Sequence, residues 1–208
     1  MRRALPALFG LWLAACAHAS PQPAGSRPPV PPAALLPASA LDFDFQWRQR
    51  VSARWPSGTQ SFDAVLQKRD RELILVGLSP LGLPGFVLRL RESGVLDVEN
   101  RTGKSLPFEP AYVLADVQRV FFPWLAAPAV GWSGEQSGQR GDALVRERYE
   151  SGRLVTRSFQ RQTPGGLERV TVRYTQQPSA ADAPASAELQ NELLGYSLHI
   201  DTLEQTRL

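Results

Sequence analysis

Cys16 is the only cysteine in a chain of 208 residues, and a lone thiol can do little except react once. It has no second cysteine with which to close an internal disulfide. The other groups able to do chemistry are dispersed. His18 stands in a Pro- and Ala-rich stretch, and His199 alternates with Leu198 and Ile200 in a way that turns it to solvent. Asp42, Asp44, Glu109 and Asp116 show no fixed spacing that would bring two carboxylates together for acid–base work. A Gly-x-Ser-x-Gly elbow and a phosphate-cradling Gly-rich loop are both absent, and a histidine without partners does not hold a metal. The reading is a protein that binds rather than catalyses, with no cofactor and no metal.

The surroundings of Cys16 say what its thiol is for. Arg2 and Arg3 form a positive n-region, and Leu5 to Leu13 an apolar h-region of signal-peptide length. At about 10 residues this run is short of the roughly 20 that cross a bilayer as a helix. An exported thiol left free is a liability, so a cap on it is expected. The run Leu13-Ala14-Ala15-Cys16 resembles the lipobox of bacterial lipoproteins. That resemblance implies a lipoprotein signal peptide over residues 1–15, a diacylglycerol on the Cys16 thiol and an N-acyl chain on the new amine. Each buried methylene contributes about 0.8 kcal/mol, so two or three chains hold firmly where one holds marginally. Ala17 follows where an aspartate usually retains such proteins at the inner membrane. Its presence implies an outer-membrane, lipid-anchored protein whose domain faces the periplasm.

Residues 16–40 are built of Pro, Ala, Ser and Gly, with Pro28, Pro29, Pro31 and Pro32 nearly consecutive. Such a segment buries too little to offset its ordering entropy and reads as a flexible tether. At roughly 3.1 Å per residue its greatest reach is on the order of 75 Å. Residues 41–208 are long enough for one domain with a substantial core. The chain carries 23 Lys+Arg against 20 Asp+Glu, and loss of Arg2 and Arg3 leaves 21 against 20. Arg146, Arg148, Arg153 and Arg157 alternate with apolar residues, as solvent-facing strand positions do, and the absence of clustering argues against nucleic acid as a partner.

The dominant period in this domain is two. Phe43, Phe45 and Trp47 alternate with polar neighbours, as do Phe62, Ala64 and Leu66, and Arg89 and Arg91 interrupt Val87 to Leu90. Further strands are predicted at Leu73 to Leu78, Leu144 to Glu150, Leu154 to Arg161, Leu167 to Gln176 and Gly195 to Leu203, about nine in all. Turn residues separate them, among them Pro56-Ser57-Gly58, Ser151-Gly152 and Pro164-Gly165-Gly166. One segment differs: Val113, Leu114, Val117, Val120 and Phe121 recur at helical spacing, with Asp116, Gln118 and Arg119 on the other side and Pro123 as the stop. A helix with one apolar stripe amid half-buried strands must lay that stripe on a sheet. Trp124 to Gly141 shows no period and reads as a long loop, with a short helix placed near Trp124 to Ala127.

The order of these elements carries a resemblance. The run from Glu72 to Gly82 with its Pro80-Leu81-Gly82 loop, the strand Phe86 to Arg91, the stretch Gly94 to Asn100, Gly103 and the helix Ala111 to Phe122 together resemble the middle of the LolB-like proteins of the LolA/LolB superfamily. The likeness covers roughly Phe45 to Trp132. Leu189 to Leu203 is more similar to a family of uncharacterised lipoproteins associated with aryl polyene and envelope-lipid gene clusters, and the chain is placed with these. The resemblance implies a mainly β, α+β fold: a strongly curved antiparallel sheet forming an incomplete barrel, with a helix across its open face, over residues 41–208. It implies an apolar cavity lined by Phe62, Leu66, Leu75, Leu88, Val117 and Phe121. It implies a loop, Leu81 and Leu83, that meets the membrane and transfers lipid. The partners it implies are outer-membrane lipid and a LolA-like periplasmic carrier or acylated ligand, taken up by a monomer. The function that follows is accepting acylated molecules, whether lipoprotein, lipid or polyene. The alternative is a structural or interaction lipoprotein whose core is filled by its own side chains, with Trp124 and Trp132 contacting a partner.

Overall fold

Period-two patterning builds the molecule. In the computed structural model, which describes residues 33–106, 108–175 and 183–208, it produces eleven strands. They are β1 (Phe45–Trp55), β2 (Gly58–Arg69), β3 (Glu72–Leu78), β4 (Pro84–Leu90), β5 (Leu96–Asn100), β6 (Gly134–Arg140), β7 (Ala143–Glu150), β8 (Arg153–Thr163), β9 (Gly166–Thr175), β10 (Ser186–Asn191) and β11 (Tyr196–Arg207). Helix α1 (Pro110–Phe121) lies between β5 and β6. The expected signal peptide, Cys16, Ala17 and the prolines at 28, 29, 31 and 32 lie outside the described residues.

All the pairings are antiparallel, and the strands join in one sheet ordered β5-β4-β3-β2-β1-β11-β10-β9-β8-β7-β6. Its free edges are β5 and β6, so the barrel is incomplete, and α1 packs on the concave side. Register shifts at Arg48/Gln49, Gly77/Leu78 and Arg148/Tyr149 mark bulges, which sharpen the local twist and help the sheet curl. The expected fold class is the observed one.

Directly opposed residues share a face, and one inward row runs Trp47, Leu66, Leu75, Leu88 across four neighbouring strands, all four side chains buried. The next row is Gln49, Ala64, Gly77, Phe86. Gly77 is there because the Phe86 ring lies over it: a Cβ at Gly77 would sit 2.0 Å from that ring. Gly77→Ala therefore displaces Phe86, and we expect a loss of about 1–3 kcal/mol in urea denaturation, the usual cost of overpacking.

Two strands fall where no strand was expected. The long loop Trp124 to Gly141 contains β6, and the short helix near Trp124 to Ala127 does not form. The inward positions of β6 are Gly134, Gln136 and Gly138, so the strand has no apolar alternation to betray it. At Gly138 the reason is packing: a Cβ would stand 2.9 Å from the Leu125 side chain. The other, β10, is only six residues long and turns Ala187, Leu189 and Asn191 inward.

Packing also begins earlier than the tether was expected to end. Leu35 and Leu36 pack against the core, and Ala38 and Leu41 are buried in it. The Gln118 side chain accepts from the Leu36 N–H and donates to its carbonyl, both at 2.7 Å, which straps this segment to α1. Among the described residues, no helix is long and apolar enough to cross a membrane.

Candidate functional site

The concave face has two halves of different chemistry. Under β7 to β11 a buried layer of ion pairs interrupts the apolar core of Val145, Phe159, Val170, Val172 and Leu189. Glu147 and Arg157 are directly opposed on β7 and β8, and Arg161 and Glu168 on β8 and β9, all four turned inward and buried. Helix α1 supplies Asp116 and Arg119 to the same layer. Arg119 Nη1 donates to Asp116 at 2.9 Å and Nη2 to Glu168 at 3.0 Å, while Arg161 reaches the other Glu168 oxygen. The Tyr196 hydroxyl donates to Asp116, Asn191 donates to Glu168, and Arg157 donates to Glu147 at 2.7 Å.

This layer corrects two expectations. Asp116, Gln118 and Arg119 do not face solvent; all three are buried, with Arg119 only 4% exposed. Arg157, expected on the outside of its strand, is buried too. The physical reason is the curl of the sheet, which wraps α1 so far that its polar stripe also meets strands. The polar stripe then needs polar partners, and β8 and β9 carry them. The helix C-terminus gains as well: Arg157 Nη1 donates to the Arg119 carbonyl at 2.9 Å and the Tyr174 hydroxyl to that of Val120 at 2.9 Å, satisfying carbonyls the helix leaves open at its negative end.

Burial pushes the Asp116 carboxyl above the ordinary aspartate range, and Arg119 and Tyr196 offset this only in part. For Glu168 burial works the same way, but Arg119 and Arg161 outweigh it and hold the carboxyl low. Burial also raises the Tyr174 phenol, to about 12. The linkage signs differ. Glu168 contributes stability that is present above its ordinary value of 4.5 and is lost as pH falls through its depressed one. Asp116 contributes at low pH and loses its contribution as pH rises from its ordinary 3.8 through its raised value. Removing that opposing contribution in Asp116→Asn should steepen the fall of Tm with acidification above about pH 3.8, read from melting curves between pH 3 and 7.

Under β1 to β5 the concave face is apolar apart from Gln49 and Lys68, and at its end there is space. Strand β2 runs past β3, because the β2 to β3 ladder stops at Ala64 and Gly77, and β3 turns away into the loop before β4. The notch holds a cleft of about 820 Å³. Phe62, Phe86, Leu106 and Phe108 wall it, the Phe86 ring meeting Phe62 and Phe108 edge-on. Arg48, Arg50 and Asp63 reach its mouth from the convex side, where both arginines pair with Asp63. Pro80 and Gly82 of the β3 to β4 loop border it, and that loop holds its tip outward, with Leu81 85% and Leu83 63% exposed. In the row of Gly77 and Phe86 stands Gln49, 2% exposed, whose Nε2 has no hydrogen-bond partner among the described residues. A buried donor without an acceptor costs about 1–3 kcal/mol and calls for an explanation.

Of the residues expected to line a cavity, Phe62 borders this cleft. Leu66, Leu75, Leu88 and Val117 are buried in the core, and Phe121 packs against Trp47. Trp124 is buried, donating to the Gln118 carbonyl and meeting Phe159 edge-on, so it is not free to contact a partner; Trp132 lies against Tyr149. His199 faces outward, its Nε2 3.1 Å from Asp201, beside a shallow polar hollow of about 430 Å³ on the convex face. Among the described residues no group of His, Cys, Asp and Glu side chains could hold a metal ion. Sequence reasoning missed Gln49 and Phe108. The first had a visible signal, a glutamine at an inward position of an alternating strand, whereas Phe108 lies between elements, where no period applies.

A family described as Protein of unknown function (DUF3261) matches residues 46–204. Three solved structures are similar in outline. One is a LolA superfamily protein from Nitrosomonas europaea, 13% identical, with TM-score 0.46 over 82% of this chain and 93% of that one. Another, from Vibrio parahaemolyticus, is described as an outer membrane lipoprotein-sorting protein domain, 10% identical, with TM-score 0.46 over 79% and 85%. The third is a DUF1329 family protein from Desulfovibrio piger, 8% identical, with TM-score 0.42 over 81% and 88%. No curated protein matches the chain.

Proposed function

We propose, for this chain that belongs to the family of proteins of unknown function DUF3261, that it is a lipid-anchored binding protein of the outer membrane that accepts the acyl chain of another molecule. The observation that carries this reading is the cleft between β2 and the β3 to β4 hairpin. At about 820 Å³ it lies within the roughly 300–1,000 Å³ of small-ligand sites. Phe62, Phe86, Leu106 and Phe108 give it one apolar wall, which is what an alkyl chain asks for, while Arg48, Arg50, Asp63 and Lys104 keep its rim polar. The ligand is confined to the N-terminal half of the sheet, since the other half is filled by its own side chains, the ion pairs under α1 together with Val145, Phe159, Val170 and Leu189. The reading is of binding and transfer without catalysis: Phe62, Phe86 and Phe108 hold the chain, and Leu81 and Leu83 meet the bilayer from which it comes or into which it goes. Cys16, with its diacylglycerol and N-acyl chain, holds the protein at that membrane.

The test is extraction of lipid from the purified chain followed by mass spectrometry, with titration of a fluorescent palmitate ester. We expect one acyl ligand per chain. Gln49→Leu removes a buried unsatisfied donor outside the cleft lining, so it should leave Tm unchanged or higher and binding of the ester unchanged. A chain that retains no lipid and ignores the probe would refute the reading and favour the alternative of a structural lipoprotein.

A further inference from the structure

An interrupted ladder leaves main-chain groups without partners. In an antiparallel sheet every second residue of a strand directs its N–H and C=O to one neighbour and the residues between to the other. From Gly58 to Asp63, β2 pairs with β1 alone, because its ladder with β3 begins only at Ala64. The loop that should have continued β3 folds on itself: Ser79 N–H bonds the Leu83 carbonyl and Gly82 N–H that of Ser79. Among the described residues nothing else pairs with the open side of this stretch. The open side borders the cleft, which is lined by Gln60, Ser61, Phe62 and Asp63.

This edge differs from the two outer edges of the sheet. Strand β5 is five residues long and carries Asp97 and Glu99, and β6 carries Glu135 and Arg140, features that blunt an edge against pairing. The open stretch of β2 is uncharged from Gly58 to Phe62 and borders the cleft beside Phe62 and Phe86. Gly85 on the opposite side adds no side chain to the cleft. A hydrocarbon cannot use these amides and carbonyls, but another main chain can.

We propose that an extended peptide adds as a strand to β2 along Thr59–Asp63, so that the ligand is an acyl chain joined to a polypeptide rather than a free lipid. This rests on the acyl-binding reading of the cleft and extends it. The strand's backbone completes the ladder, and its alternate side chains turn toward Phe62 and Phe86. Strand addition of this kind takes affinity from main-chain hydrogen bonds and selectivity from pockets for alternate side chains.

The experiment titrates the purified chain with palmitate and with N-palmitoyl-Gly-Val-Ser-Val-Ser-Val amide, and follows hydrogen exchange at residues 59–63. Two further peptides carry N-methyl groups on alternate residues, one on the odd and one on the even positions. We expect the palmitoyl peptide to bind at least tenfold more tightly than palmitate and to slow exchange at alternate amides of Thr59–Asp63. Only one of the two methylated peptides should lose that gain, since only every second amide pairs. Equal binding of palmitate and all three peptides, or equal loss with both methylation patterns, would overturn the strand pairing and leave the cleft reading standing. Failure of palmitate and peptide alike would remove the cleft reading, and this inference with it.

Discussion

Arg119→Ala should destabilise the protein by about 3–5 kcal/mol, the usual cost of taking one partner from a buried ion pair. For a chain of this size each kcal/mol moves Tm by roughly 2–4 °C, so a fall on the order of 10 °C is expected in a thermal melt. The size follows from what is left behind. Arg119 bridges Asp116 and Glu168, both buried, and without it two carboxylates face each other across the helix and sheet. Glu168 keeps Arg161 and Asn191, but Asp116 keeps only the Tyr196 hydroxyl. The double variant Asp116→Asn/Arg119→Met should therefore recover part of the loss, since it removes the stranded charge and refills the space with an apolar stem. A single variant within 1 kcal/mol of wild type would show that α1 is held by its apolar stripe alone.

Leu81→Glu should leave the fold untouched and abolish most of the attraction to a bilayer. The side chain is 85% exposed, so its replacement belongs with surface changes worth less than about 0.5 kcal/mol of stability. At a membrane the same side chain is worth far more. Burying a leucine in hydrocarbon contributes about 1.5–3 kcal/mol, so losing it reduces partition by roughly tenfold or more, before the cost of carrying a carboxylate to the surface. Flotation of the chain with phosphatidylethanolamine and phosphatidylglycerol vesicles reads this directly when Cys16 is replaced by serine and no acyl anchor masks the loop. Leu83→Glu, at 63% exposure, should follow with a smaller effect. Wild-type flotation by both variants would end the membrane role of this loop, whereas the cleft between β2 and β4 would still stand on its own walls.

Much of the architecture was legible before any coordinates, and for a specific reason. A strand half buried against a core must alternate, so β1, β2, β7 and β9 announce themselves in Phe43 to Trp47, Phe62 to Leu66, Leu144 to Glu150 and Leu167 to Gln176. The helix between two prolines did the same through its 3.6 period, and one helix among many antiparallel strands leaves few ways to bury an apolar stripe. The exposed Leu81 tip was expected from the family resemblance alone, since a Pro-Leu-Gly between two strands does not itself tell whether its leucine projects or folds back onto the sheet. What could not be read was β6, whose inward Gly134 and Gly138 make room for Trp132 and Leu125, and β10, six residues without a run long enough to show a period.

Charge placement was the deeper failure of reading, and it marks where local pattern stops. Alternation tells that Arg157 and Glu147 occupy particular faces of their strands, and periodicity that Asp116 and Arg119 share a stripe; neither tells how far a sheet curls. Only the tertiary wrap decides that the polar stripe of α1 is enclosed, that it must be matched ion for ion by β7 to β9, and that the space left over lies under β2 to β4. Local side-chain order is written residue by residue into the chain because each strand and helix answers to its own neighbours. The position of a cleft depends instead on the sum of many small twists and bulges, and that sum exists only once eleven strands have closed around one helix.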